Sequence, residues 1–242
     1  MSEMETLKKW IEESHYIVFF GGAGVSTESN IPDFRSTDGL YHQKYDYPPE
    51  TILSHSFYVH RTEEFYRFYR DKMLFPEAKP NRAHLALAKL EQMGKLKAVI
   101  TQNIDGLHQA AGSKEVLELH GSVLRNYCTR CGRFYDLDTI LHSEGVPECE
   151  CGGVIKPDVV LYEEGLDESI LRRSVEHISR ADLLIIGGTS LTVYPAAGLI
   201  DYFGGNRLVL INKSVTSRDN QADLVFCDSV GRVLSEAVDL EK

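Results

Sequence analysis

FFGGAGVSTESNIPDFRS, residues 19–36, is the stretch whose reading decides the fold of this chain. A strand-like run, Ile17 to Phe20, leads into Gly22, Ala23 and Gly24, where a backbone free of bulky side chains can approach a pyrophosphate. A redox dinucleotide fold would continue into a helix and a second strand, closing on an acidic residue about 20 positions later. Here the chain gives Ile31, Pro32, Asp33, Phe34 and Arg35 instead. The loop is that of a nucleotide site, but one that uses an aromatic ring and an arginine where the helix should begin.

Outward from this loop, short apolar runs recur at Ala98–Ile100, Val159–Tyr162, Leu183–Ile186, Leu208–Ile211 and Leu224–Phe226, and read as buried parallel strands. Helical patterns lie between them. Ala83, Leu87 and Leu90 share one face, Leu171, Val175 and Ile178 another, Leu7, Trp10 and Ile11 mark a first helix, and a last one is expected over Val230–Leu240. Alternating strands and helices predict an α/β fold, a doubly wound Rossmann-like parallel sheet. Two segments break the alternation: an aromatic-rich helical insertion over 36–79 and a cysteine-bearing insertion over 123–155. Together they are expected to form a smaller domain, leaving 1–35, 80–122 and 156–242 for the nucleotide-binding domain.

The second insertion holds Cys128 and Cys131, then Cys149 and Cys151, two tight pairs that can each grip one ion. Four thiolates complete tetrahedral zinc and leave no position open for substrate, so a structural zinc is expected, with a redox dithiol as the alternative. Gly152 and Gly153 would relieve the tight second pair. Cys227, closing an apolar run, reads as a core residue.

With 242 residues the chain can bury a sizeable core, and its formal charge of -10 argues against nucleic acid as main partner. It shows no apolar run of membrane-spanning length and no export signal, so no membrane partner and a cytoplasmic location are expected. Five cysteines then imply a reducing compartment.

Ligands of an open parallel sheet bind beyond the carboxyl ends of the strands. In this chain those ends carry Gly22–Thr27, Thr101–Asp105, His120–Ser122, Gly188–Ser190 and Asn212–Ser214. Five polar strand ends should converge on one crevice. At these residues the chain resembles the sirtuins, NAD-dependent protein lysine deacylases, and their bacterial deacetylase branch most of all. The resemblance rests on GAGVSTESNIPDFRS, TQNIDGLHQAAG, HGS, the cysteine pairs, KPDVVLYEE, GTSLTVYPAA and LINKS, in order, over nearly the whole chain.

The resemblance implies an enzyme that consumes NAD, releasing nicotinamide and O-acetyl-ADP-ribose as it deacetylates lysine in proteins. The acyl oxygen would attack the nicotinamide ribose carbon, with His120 as general base on a ribose hydroxyl. Ala23 and Thr27 would contact phosphates and ribose, Phe34 would shield the reacting carbon, and Arg35 would pair with the pyrophosphate. Asn103, Ile104 and Asp105 would form the nicotinamide pocket, Gln102 would meet its ribose, and Thr189, Ser190, Asn212 and Val230 would lie on the adenosine side. Val159, Val160 and Tyr162 would pair with the acetylated peptide, in a loop where family members usually have glycine in place of Glu163. Tyr66 is followed by Tyr69 and then Arg70, which favours acetyl over acidic acyl groups. Among the nine histidines only His120 sits at an expected strand end before a glycine, and His84 is expected to serve packing or lie in solvent. The rivals are ADP-ribosyl transfer or NAD hydrolysis on the same fold, and a non-catalytic docking module. Oligomeric state is open.

Overall fold

The computed structural model describes residues 2–33 and 46–240, so Phe34 and Arg35 lie outside the described residues. Its strands are β1 (Ile17–Gly21), β2 (Leu96–Thr101), β3 (Val116–Glu118), β4 (Gly121–Cys128), β5 (Phe134–Tyr135), β6 (Ile155–Val159), β7 (Leu183–Gly187), β8 (Leu208–Ile211) and β9 (Leu224–Phe226). Six of them form one sheet in the order β3-β2-β1-β7-β8-β9, with every neighbouring pair parallel. A parallel sheet is stable when both faces are covered, and β1 shows how the sequence arranges this. Ile17 and Phe19 enter one apolar cluster, while Val18 and Phe20 enter the other. Burying each such side chain contributes about 1.5–3 kcal/mol.

The first cluster takes its cover from helices α1 (Glu3–Glu13), α5 (Arg82–Gln92) and α9 (Val230–Ala237). In α1, Ser2 and Glu5 close a reciprocal capping box, which starts the helix in the register that buries Leu7 and Ile11. The start of α5 does more for the crevice. Asn81 caps the helix with its side-chain oxygen, and its amide donates to the Val25 carbonyl at 2.8 Å and to Ser29 Oγ at 3.0 Å, pinning the turns that follow β1. The other face is covered by α8 (Glu168–Arg180) and a 3-10 helix over Ala196–Tyr202. The last helix ends at Ala237, short of the expected Leu240.

The second sheet is antiparallel, in the order β5-β4-β6. Here the run Val159–Tyr162 departs from the expected buried parallel strand. β6 spans Ile155–Val159 and alternates buried and half-buried residues, the pattern of an antiparallel strand with one wetter face, and Tyr162 makes only an isolated bridge to Ser54. Its edge position also tolerates Pro157. The expected boundaries at 122/123 and 155/156 therefore fall within β4 and at the start of β6. One apolar cluster joins residues of both insertions: Phe57, Phe65 and Phe68 from α3 (His55–His60) and α4 (Thr62–Lys72) pack with Val123, Ile140 and Ile155. Gly121 at φ +76° is required where β4 meets β6, since a Cβ there would lie 1.9 Å from the Asp158 carbonyl oxygen.

Candidate active site

The sheet order reverses between β1 and β7, and the crevice at that switch point is lined by the glycine loops that leave both strands. Gly24 N–H donates to the Gly188 carbonyl at 2.8 Å, so two backbones lie in direct contact at its floor. Gly188 sits at φ +60°, and a Cβ on it would come 2.4 Å from Val25 N. A Cβ on Gly22 would meet Gln102 Oε1 at 2.8 Å. Ala23 opens the 3-10 turn Ala23–Val25 and is half-buried. Thr27 donates its hydroxyl to the Gly24 carbonyl at 3.0 Å, stiffening the same turn.

Beyond β2 the chain builds a polar relay. Asn103 Nδ2 donates to Ser26 Oγ at 3.0 Å, and Ser26 Oγ donates in turn to Asp105 Oδ2 at 2.6 Å. The Asn103 amide can only donate through that nitrogen, so the serine proton must point to the carboxylate. Asp105 Oδ1 accepts from Leu107 N at 2.9 Å, which aims the side chain and leaves acceptor capacity for a ligand amide. Ile104 is half-buried against the cluster of the smaller sheet, and its carbonyl accepts from Val123 N at 3.0 Å. Ser26 is absent from the site residues expected from sequence. Its signal was its place two residues past the glycines, beside a threonine of the same chemistry.

His120 lies two residues past the end of β3 and immediately before β4, and its Nδ1 lies 3.0 Å from the Gln102 carbonyl. A carbonyl only accepts, so Nδ1 carries the proton and Nε2 keeps its lone pair. Burial draws this imidazole below its ordinary pKa, although the Gln102 carbonyl opposes the shift. The ring is therefore a neutral base at neutral pH. Gln102 ties the two halves of the crevice together: its Oε1 accepts from Thr189 Oγ1 at 3.1 Å, while its Nε2 is buried with no partner. An orphaned buried donor of this kind fits the oxygen of a bound ribose.

On the β7–β8 side, Thr189 N donates to Asn212 Oδ1 and Asn212 Nδ2 donates to the Thr189 carbonyl, both at 3.0 Å. Ser190 is exposed and pairs its hydroxyl with Thr192 at 2.8 Å. Val230 has its side chain in the core beside Gly187, so only its backbone can face a ligand. Glu28 anchors this corner, accepting from Ser229 Oγ at 3.1 Å and Gly231 N at 3.0 Å. Bare glycine backbone, the free Gln102 amide and this polar rim together suit a dinucleotide such as NAD.

Of the expected substrate strand, Val159 is buried at the end of β6, Val160 N donates to the His120 carbonyl at 3.0 Å, and Tyr162 is exposed. His84 is buried and stacks edge-on against the equally buried His108, with ring centroids 4.7 Å apart. Cys227 is exposed, against the expectation of a core position: β9 ends at Phe226, and strand alternation turns the next residue outward.

The four remaining cysteines form a single cluster, with all Sγ atoms within 4.8 Å of one another. The closest contacts cross between the pairs, Cys128 to Cys151 at 3.4 Å and Cys131 to Cys149 at 3.6 Å. Tetrahedral zinc with bonds of about 2.3 Å has ligand edges of about 3.8 Å, so this quartet fits one ion better than two separate dithiols. Burial opposes the Cys128 thiolate, but N–H groups of Cys131 and Arg130 outweigh it and lower the pKa. Gly152 takes φ +76°, and a Cβ on Gly153 would lie 2.7 Å from Cys128 Sγ. The two glycines thus admit the short Cys149-Glu150-Cys151 turn.

The model of the Sir2 family matches residues 22–195. An NAD-dependent protein deacetylase of Clostridium acetobutylicum is 63% identical over 98% of this chain and 99% of its own length, and one of Cutibacterium acnes is 55% identical over 96% of each. A solved structure of Sir2 with p53 peptide and NAD+ superposes with a TM-score of 0.86 at 42% identity, covering 100% of this chain and 99% of that one. Another, with deacetylated p53 peptide and 3'-O-acetyl ADP ribose, reaches a TM-score of 0.91 at 42% identity over 99% of this chain and 98% of the other. The motifs at the strand ends, the crevice they build and the likeness of the whole chain lead to one conclusion: this protein belongs to the Sir2 family.

Proposed function

We propose that this protein is an NAD-dependent protein lysine deacetylase, converting acetyl-lysine, NAD and water into lysine, nicotinamide and O-acetyl-ADP-ribose. The observation that carries this reading is the convergence of the Asn103–Ser26–Asp105 relay and the free Nε2 of His120 on one crevice. Redox chemistry on a nicotinamide requires none of these groups. Deacetylation by transfer to the ribose uses both: an oriented acceptor that holds the departing carboxamide while the nicotinamide bond breaks, and a base beside the ribose hydroxyls for the acyl transfer that follows.

Asp105, steadied by Ser26 and Leu107 N, holds the carboxamide. Asn103 fixes the serine, and Ile104 supplies an apolar wall. His120 removes a proton from a ribose hydroxyl through Nε2. Gln102 donates to the ribose, Ala23 and Thr27 present their backbone toward the phosphates and adjoining ribose, and Thr189, Ser190, Asn212 and the Val230 backbone receive the adenosine side. Phe34 and Arg35 keep the roles their motif implies. Val159, Val160 and Tyr162 receive the acetylated peptide. Zinc, when bound by Cys128, Cys131, Cys149 and Cys151, supplies a crosslink with no open coordination position. The helical insertion and the zinc-binding module are read as one smaller domain beside the nucleotide-binding domain.

Two further observations favour acetyl over acidic acyl groups. Tyr66 is fully buried and donates its hydroxyl to the Ile155 carbonyl, and Arg70 spends its guanidinium on Ile140 O, Ser143 Oγ and Gly145 O at 2.7–2.9 Å. Neither is left to receive a carboxylate. The location is read as cytoplasmic; no helix among the described residues is long and apolar enough to cross a membrane.

The test is stoichiometric. Incubated with NAD and an acetyl-lysine peptide, the metal-replete protein should release one nicotinamide per peptide deacetylated, both read by mass. Nicotinamide released at the same rate without peptide would replace this reading with NAD hydrolysis.

A further inference from the structure

Resting on the deacetylase reading, we propose that Glu163 is a positioning residue for the acetylated peptide: its carboxylate clasps Ser56 and so fixes the backbone of residues 160–162, on which the substrate lies. The starting observation is a conformation that glutamate rarely adopts. Glu163 sits at φ +76°, in the left-handed region where glycine is at home. Something must hold it there, and the surrounding contacts show what does.

Glu163 Oε2 accepts from Ser56 N at 2.8 Å and from Ser56 Oγ at 2.6 Å. The neighbouring Glu164 reaches the same helix start, with Oε1 2.9 Å from His55 Nδ1, and its Oε2 accepts from Leu161 N at 2.9 Å and Lys156 Nζ at 3.2 Å. Backbone bonds complete the suspension. Tyr162 N donates to the Leu53 carbonyl at 3.0 Å, and His55 N donates to the Tyr162 carbonyl at 2.9 Å. At its other end the loop donates from Val160 N to the carbonyl of His120. The segment is thus hung between the proposed base and helix α3, and Glu163 is its outermost fastening. The two bonds from Ser56 draw the Glu163 carboxyl below its ordinary pKa, as a carboxylate with two donors should be. A glycine would take the same φ without strain but could not make this clasp.

Three variants separate the backbone from the side chain. Glu163→Ala keeps the left-handed residue and loses the clasp, Glu163→Gly relaxes the backbone and loses the clasp, and Glu163→Gln keeps an acceptor oxygen for Ser56. With both exposed bonds gone, KM for an acetyl-lysine peptide is expected to rise about tenfold in the alanine variant and about fivefold in the glycine variant. It should return to within about threefold of the parent in Glu163→Gln. KM for NAD and kcat at saturating peptide should hold within about twofold throughout, because the strand ends that carry the chemistry are untouched.

Peptide affinity read by fluorescence anisotropy without NAD should follow the same order. An unchanged peptide KM and affinity in both the alanine and glycine variants would overturn the proposal, as would a parallel loss of NAD affinity. A parent protein that binds the peptide but never deacetylates it would instead overturn the deacetylase reading, while the anisotropy series still judged the clasp.

Discussion

The crevice between β1 and β7 and the cysteine module beyond β4 are both built from tight glycine turns, yet they are held by opposite means. In the crevice, the turns rest on a sheet whose two faces are sealed by apolar clusters, and Gly24 lies directly on Gly188. Its shape is a by-product of burial. In the module, a three-stranded sheet, one strand of which has only two residues, shares one cluster with the helical insertion, and that cluster includes Cys128 and Cys149 themselves. A sheet this small lacks the apolar area to stand without help, and its crosslink is the metal. The crevice can therefore keep polar groups poised with orphaned capacity, whereas the module must satisfy its own ligands completely.

Metal removal tests this contrast most severely. Structural zinc binds with about 10–16 kcal/mol in small metal-folded peptides, more than the whole stability of many domains. Chelation, or Cys149→Ala, should therefore melt the module and abolish deacetylation while the parallel sheet survives. Hydrogen exchange would show protection lost over residues 121–159 and retained in β1, β2 and β7; equal loss everywhere would refute the separation.

His120→Ala asks the converse question. It should lower kcat by about 10²–10⁴-fold, the usual contribution of a positioned general base, with metal content and melting temperature nearly unchanged. The acid limb of the rate against pH should lie below the free imidazole range, since the ring must be neutral to act and its pKa is depressed. A variant that retained full turnover would remove His120 from the mechanism.

A smaller effect belongs to the buried histidine pair on the helices Arg82–Gln92 and Leu107–Ala110. His84 is drawn down to about 4 by burial, against the pull of Asp105 and Glu28, and His108 lies well below its ordinary value for the same reason. His84 Nε2 and both ring nitrogens of His108 have no partner. Unfolded, these rings take up protons near pH 6.5; folded, His84 resists until about pH 4, and His108 also stays neutral well below its ordinary range. The unfolded state binds more protons across that window, so stability is full above it and falls as pH drops. The loss for His84 is roughly 3 kcal/mol. Denaturant melts from pH 7.5 to 4.5 should show this slope, and His84→Gln should flatten it; an unchanged slope would sink the assignment.

Much of this was legible residue by residue. The continuous apolar run Ile17–Phe20, the glycines at 22 and 24, the two cysteine pairs and the polar strand ends are local signals, and each has a local physical meaning. An unbroken apolar strand dictates burial on both faces, glycine dictates backbone approach, and paired thiols dictate an ion. What misled was context: Val159–Tyr162 has the composition of a buried strand, but composition does not say which sheet a strand joins. The apolar look of the run ending at Cys227 likewise says nothing of which way the next residue turns.

The sequence by itself determined the kinds of groups the protein would bring to a nucleotide and the ion that would brace its smaller sheet, because both are written in short-range spacing. Only the tertiary structure decided that Ser26 joins Asn103 to Asp105, that Gln102 keeps an unused amide beside Thr189, and that Glu163 fastens its loop to Ser56. These pairings span from 77 to 107 residues, and nothing in either partner's own neighbourhood encodes the other. Hydrogen bonds are short and directional, so they exist only where the packed sheet and its loops bring two groups within about 3 Å.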